Sequence, residues 1–570
     1  MAVILPEMII AAAVLSFSKE NAEFSSAFRK EAPMSLKHKL TPLLLSAALA
    51  FTCAPPARAY IDTSATWAAE AIEKAARYGL MEGYPDGRFG VGENMTRAQF
   101  VTVLCRMFSW EETDYDQSFH RDCDGHWAQG YVDAAADHGV EAHGGLFFPD
   151  DYISRMEMAK MLVQALGYDS LAQSLRNVEL PFPDVTEDKG YAAIAYDLGI
   201  LTGAEQKGQL QFLPTFSAPR EQVAAMLVRC YERYYSQTDW LHAFYATSSY
   251  SQLSLTDALD HLSVGWARLE LTEAGAPLVN SEATSGNDWA RPTGADEVTA
   301  YWDARDIPYN LNVFSSASTF AGVVAASTQA QAVEALVAAA QPYAGLTIDF
   351  EGLRTEHREA FSAFMADLRA ALPDHKPLYV CVQPDTWFGG FDYRALGEVC
   401  DKVILMAHDY QWASIPDYYL GTSNTYCPVT PLDQIYTALQ HVTDPDTGVQ
   451  DRSKLALAIS FNTTGFHVDE NGLLLDTTFY HPAPSTISKR IVQPDTVYSW
   501  DESSHNPYIE YTIEDGGHYK LWYENTRSVA DKLQLARLFG VTGVSVWRLG
   551  IIPDYPDVPD YNVWSVFSQR

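Results

Sequence analysis

The chain has 570 residues, 47% of them hydrophobic and 12% aromatic, which is too long for one ordinary domain and apolar enough for several packed cores. A formal net charge of −34 argues against a nucleic-acid partner and against adhesion to an anionic membrane through a basic patch. Cysteines at 105, 123, 230, 381, 400 and 427 show no metal-ligand spacing, so no metal and no other cofactor is expected.

The N-terminus reads as an address. Lys37, His38 and Lys39 precede an apolar run from Leu40 to Phe51, and Ala57-Arg58-Ala59 is a small-x-small exit before Tyr60. These are the parts of a secretory signal spanning 34–59, with residues 1–33 as an upstream extension. The run is short for a membrane span, and no later segment reaches about 20 apolar residues. The expectation is a secreted chain from Tyr60 onward, with no membrane insertion once the signal is removed.

Residues 60–235 hold three repeats with a period of roughly 60 residues, bounded at 60–112, 113–175 and 176–235. Trp67-Ala68 opens the first and His126-Trp127-Ala128 the second, while the third begins at Phe182-Pro183-Asp184 and lacks the tryptophan. Thr96 with Gln99, and Ser154 with Glu157, have capping-box spacing, and Pro219 suits a helix start. Apolar faces follow each start, led by Phe100 and Leu104, Met158 and Leu162, and Val223 and Leu227. An arginine stands in each first turn, at 97, 155 and 220, where a cation opposes the helix dipole. Helix stability does not ask for it, so another use is expected. Thr96-Arg97-Ala98-Gln99 and Ser154-Arg155-Met156-Glu157 resemble the signature of the S-layer homology module, degraded to Pro219-Arg220-Glu221-Gln222 in the third unit. The resemblance implies a mainly α-helical three-repeat domain that binds an acidic secondary cell-wall polymer. It places Arg97, Arg155 and Arg220 on the acid, with Trp67 and Trp127 beside them.

Residues 236–570 read as an α/β domain. Eight short apolar runs stand at Leu241–Tyr245, Leu262–Leu269, Leu311–Phe314, Leu346–Phe350, Leu378–Val382, Val403–Met406, Leu455–Phe461 and Val544–Trp547. With amphipathic segments between several of them, this is the arithmetic of a TIM (β/α)8 barrel. Long connections at 411–453 and 463–522 are expected to wall the catalytic face. The fourth run ends Asp349-Phe350-Glu351, and strand alternation sends both acids off one face at the strand's C-terminal end.

Gly345 to Leu353, Leu405 to Tyr410, Val544 to Gly550 and Tyr523 to Ser528 resemble glycoside hydrolase family 18, closest to its bacterial branch acting on peptidoglycan and spore cortex. In that family the substrate's own acetamido group is the nucleophile, so one acid suffices. The resemblance implies Glu351 as general acid and base, Asp349 as its partner steering the acetamido group, and Asp409 assisting. It puts His408, Trp547 and Glu524 at the substrate. Two family acids are replaced, by Ala344 and Thr347, and His408 stands where a tyrosine is usual. The reading is a secreted glycosidase attached to the bacterial cell wall, cleaving next to N-acetylglucosamine, with peptidoglycan preferred over chitin. A non-hydrolytic wall lectin that keeps the barrel is the alternative.

Overall fold

The computed structural model describes residues 60–570 apart from 143, 247, 285–288, 326, 515, 569 and 570; the signal and upstream extension lie outside the described residues.

Residues 60–235 fold mainly into seven helices: α1 (Ala69–Arg77), α2 (Arg97–Phe108), α3 (Gln129–Asp137), α4 (Arg155–Ala165), α5 (Asp169–Ser174), α6 (Lys189–Asp197) and α7 (Arg220–Tyr234). Both expected capping boxes form, at Thr96 and at Ser154, while Pro219 caps α7 without a side-chain bond. The three units close into a ring. Single antiparallel bridges join Thr96 to Tyr152, Ser154 to Ser217 and Pro219 back to Asn94. Asp62, Asp122 and Asp184 hold equivalent turns, each carboxylate accepting the N–H of Phe89, Phe147 or Phe212 at 2.7, 2.8 and 2.9 Å.

The barrel strands are β1 (Trp240–Tyr245), β2 (His261–Leu271), β3 (Tyr309–Ser316), β4 (Leu346–Glu351), β5 (Leu378–Val382), β6 (Lys402–Leu405), β7 (Leu455–Ser460) and β8 (Gly543–Trp547). All eight pair in parallel in chain order, and β8 returns to β1, closing the sheet. Alternation along β4 explains its placement. Leu346, Ile348 and Phe350 join the outer core, with Phe350 against Phe361 and Phe364 of helix Arg358–Ala371. Thr347, Asp349 and Glu351 take the inward register. Thr355 starts a short 3-10 turn ahead of that helix.

The barrel interior carries a neutral polar chain below the acids. His242 meets Ser545 and Ser263 at 2.8 Å each, Ser263 meets Thr347 at 2.6 Å, and Asn310 links Thr347 to His261 at 3.3 and 2.9 Å. Burial holds His242 well below the usual histidine range and His261 down to about 4, so both are uncharged partners in packing. The connection after β7 folds into an antiparallel sheet of Thr464–Val468, Val497–Asp501, Asn506–Thr512 and His518–Trp522. Phe466, Val468 and Trp522 of that sheet share a small core with Ile415 and Cys427 of the connection after β6.

Candidate active site

Asp349 is buried at the end of β4, and Glu351 is half-buried one strand repeat further on. Gly352 turns the chain sharply at φ +75, a conformation unstrained only for glycine, and its N–H is held at 2.7 Å by Gln383. Asn312 on β3 donates to Asp349 Oδ2 at 3.2 Å, while Asp349 Oδ1 and Asn312 Oδ1 are buried with no nitrogen or oxygen donor on them among the described residues. The buried thiol of Cys381 on β5 lies against the same carboxyl, and burial keeps that thiol protonated. Burial raises Asp349 above the usual carboxylate range, against the pull of Asn312 and Cys381. Burial raises Glu351 further, reinforced by the negative charge of Asp349. Glu351 is therefore the member of the pair built to hold a proton near neutrality. Thr347, in place of a third acid, shares a hydroxyl hydrogen bond with Ser263, accepts from Asn310 Nδ2, and leaves the pair without a further charge.

Asp409 closes the other side. Its backbone is left-handed at φ +61, and its carboxylate accepts from His408 Nδ1 at 2.9 Å and from Asn462 Nδ2 at 2.9 Å. Burial opposes its charge, but His408 and these hydrogen bonds prevail and bring it down to about 2. An ionised carboxylate only accepts, so the proton lies on His408 Nδ1. A neutral His408 then presents a lone pair at Nε2, and only the imidazolium can donate from that nitrogen.

Trp547 ends β8 half-buried, 5.1 Å from Phe244 and 5.9 Å from Trp289. Trp289 itself stacks on Phe314 at 4.8 Å and was invisible to sequence reasoning, because its segment belongs to no strand or motif. On the opposite flank Trp387, exposed at 43%, packs edge-on against Tyr410, and its carbonyl accepts from Arg354 in the loop after Glu351.

Glu524 does not belong to this constellation. It is buried, and its carboxylate accepts from Thr430, Asn506 at 2.6 Å, Ser528 at 2.6 Å and Lys532 at 2.5 Å. Four donors saturate a carboxylate, leaving nothing for a sugar. Its role is to tie the inserted sheet to helix Thr526–Leu538.

The repeat arginines divide. Arg97 donates to Phe147 O at 2.6 Å and to Glu157, and Arg220 donates to Phe89 O at 2.8 Å and Glu82 O at 2.7 Å. With exposures of 7% and 6%, these two clasp neighbouring units and are not open to a polymer, which corrects the expectation for both. Arg155 makes the same clasp, to Phe212 O and Thr202 O at 2.7 Å each, but also lines a groove of about 430 Å³ with Trp67, Phe216, Gln222, Met226 and Arg229. Trp67 is 70% exposed and Trp127 60%, so both indoles are free to meet a ligand.

An acid pair at the C-terminal mouth of a closed parallel barrel, with an aromatic wall beside it, is the arrangement of a glycoside hydrolase. Residues 234–551 match Glycosyl hydrolases family 18, more than half of the chain, and the chain belongs to that family. Residues 61–101 match the S-layer homology domain, which indicates attachment at the bacterial cell surface. Among curated relatives, the cortical fragment-lytic enzyme of Bacillus anthracis is 25% identical over 214 residues, 36% of this chain and 45% of that protein. Cell surface glycoprotein 1 of Acetivibrio thermocellus is 35% identical over 147 residues, 24% of this chain and 6% of that protein. The chain thus spans about half the length, or less, of these relatives. The solved spore cortex-lytic enzyme SleL of Bacillus cereus aligns with a TM-score of 0.45 at 15% identity, covering 70% of this chain and 82% of that one.

Proposed function

We propose that this family 18 hydrolase cleaves β-linkages next to N-acetylglucosamine in peptidoglycan, by substrate-assisted retaining catalysis, while held to the wall by its repeats. The observation that carries the reading is the acid pair at the end of β4, in which Glu351 is raised further than Asp349, by burial and by the charge of Asp349, as a proton donor to a glycosidic oxygen must be. Asp349 is placed by Asn312 to accept the acetamido N–H and press its oxygen towards the anomeric carbon. As the leaving oxygen takes the proton, the oxazolinium forms; Glu351, now ionised, draws a proton from water on the return. Trp547 supplies the apolar floor under the ring, and His408, held at Nδ1 by Asp409, meets the acetamido group from its other nitrogen.

The second and third units are read as S-layer homology modules too, since both repeat the first unit's turn and arginine clasp, and the second also its capping box. The groove at Arg155, Arg229 and Trp67 pairs two cations with an indole, which suits an anionic sugar of a secondary wall polymer. Family 18 membership and the cortex-lytic relatives support the glycan, and the surface-layer relatives support the anchor. The test is turnover of an N-acetylated glycan against the same glycan de-N-acetylated. Cleavage of the first alone is expected; equal rates would rule out substrate assistance.

A further inference from the structure

The expected arrangement for a wall anchor is a tether, yet the repeats are built onto the barrel. Only residues 235–239 separate α7 from β1. Helix α7 runs along Thr526–Leu538, where Gln534 Nε2 donates to Tyr234 O at 3.1 Å and Arg233 donates to Leu538 O at 3.0 Å. Arg537 reaches Thr238 Oγ1 at 3.4 Å. At the end of α6, Asp197 accepts from Tyr436 Oη at 2.5 Å and Gln440 Nε2 at 2.8 Å, both on helix Leu432–Val442. Ahead of α5, Tyr168 lies buried 6.2 Å from His505, whose Nδ1 is held by Asp531 at 2.8 Å. Residues of the repeats and of the barrel's outer layer belong to one continuous buried cluster.

We propose that the repeat domain is a rigid bracket for the barrel, so that hydrolysis is confined to glycan at a fixed position relative to the wall attachment. The physical reason is solvent exposure. A tethered anchor would lose the contacts of Tyr168 with His505 and of Tyr436 with Asp197, both tyrosines now being buried. The bonded polar groups lie on α6, α7 and the linker on one side and on two barrel helices on the other, so a rotation of one domain breaks all of them together. The interface sits on the helix that follows β6, the strand leading into Asp409, and on the helix that precedes β8, the strand ending in Trp547. The bracket therefore grips the barrel through the two supports of its substrate wall. Only the consequence for wall hydrolysis rests on the function proposed above; the joint itself does not.

The test uses the full chain with a site-specific protease sequence inserted between Ser236 and Gln237. After cleavage, the halves are expected to co-elute in gel filtration and to unfold in one transition. Halves that separate would overturn the bracket, with no substitution needed that could disturb folding. A second variant combines D197K and Y436A with a flexible insertion of about 20 residues at the same point, checked for native secondary structure by circular dichroism. Its rate on soluble N-acetylglucosamine oligomers is expected to match the parent, while its rate on wall sacculi changes by about fivefold or more. Equal rates on sacculi would overturn the positioning role. Loss of rate on both substrates in the parent chain would instead sink the proposed hydrolysis and leave the gel-filtration result standing.

Discussion

Glu351 and Asp349 are two carboxyls that burial pushes in one direction, and the price of holding them so is stability. A group whose folded pKa is raised favours the fold below its unfolded pKa and loses that contribution as pH rises through the folded value. Glu351→Gln removes the charge that must otherwise be buried. It is expected to cut turnover by ~10²–10⁴ while keeping sugar binding. Above neutrality it should also be more stable than the parent, by roughly 1.4 kcal/mol for each tenfold by which the fold weakens the Glu351 acid. Thermal melts across a pH series check this, and a variant less stable than the parent at alkaline pH would contradict it. His408 gives a second prediction. Asp409 holds Nδ1, so Nε2 is the nitrogen left to face substrate. His408→Tyr puts a hydroxyl donor at that place and is expected to keep or raise kcat/KM on an N-acetylated glycan. A His408→Ala variant with unchanged kcat/KM would remove His408 from the substrate.

At the scale of elements, the arginine clasps and the buried ion pair separate support from recognition. Arg220→Ala is expected to destabilise the repeats by about 1–3 kcal/mol, because it orphans buried carbonyls of the first unit. Arg155→Ala should lose wall binding as well, read by sedimentation with sacculi before and after chemical removal of the secondary polymer. Lys532→Ala leaves Glu524 charged and buried, and should cost about 3–5 kcal/mol in denaturant melts. The barrel strands were legible because each is a short apolar run, and on β4 the i, i+2 acids announced their own face. Helix starts were legible from their caps. The helix dipole indicates that the arginines serve something other than their own helices, but the acceptors are carbonyls of the next unit, which local sequence does not reveal. Glu524 was put at the substrate by the family resemblance of its segment, and local sequence does not reveal the four donors that surround it. Asn312, Cys381, Trp289 and Asn462 reach the site from strands or loops far apart in sequence. No periodicity marks them.

For the whole molecule, a family 18 barrel is joined to a helical ring proposed to bind the wall, and the proposed function stands on hydrolysis at N-acetylglucosamine by the Glu351 acid. Both halves were legible as repeats and as barrel arithmetic, since each depends on patterns that recur along the chain. Their junction was not, because it rests on single residues such as Asp197 and Tyr436, brought together from separate turns of chain. The most direct measurement is mass analysis of products released from purified peptidoglycan by the parent chain and by Glu351→Gln. Fragments ending in reducing N-acetylglucosamine are predicted from the parent and none from the variant. Intact glycan from both, or equal release by the variant, would contradict hydrolysis by this acid.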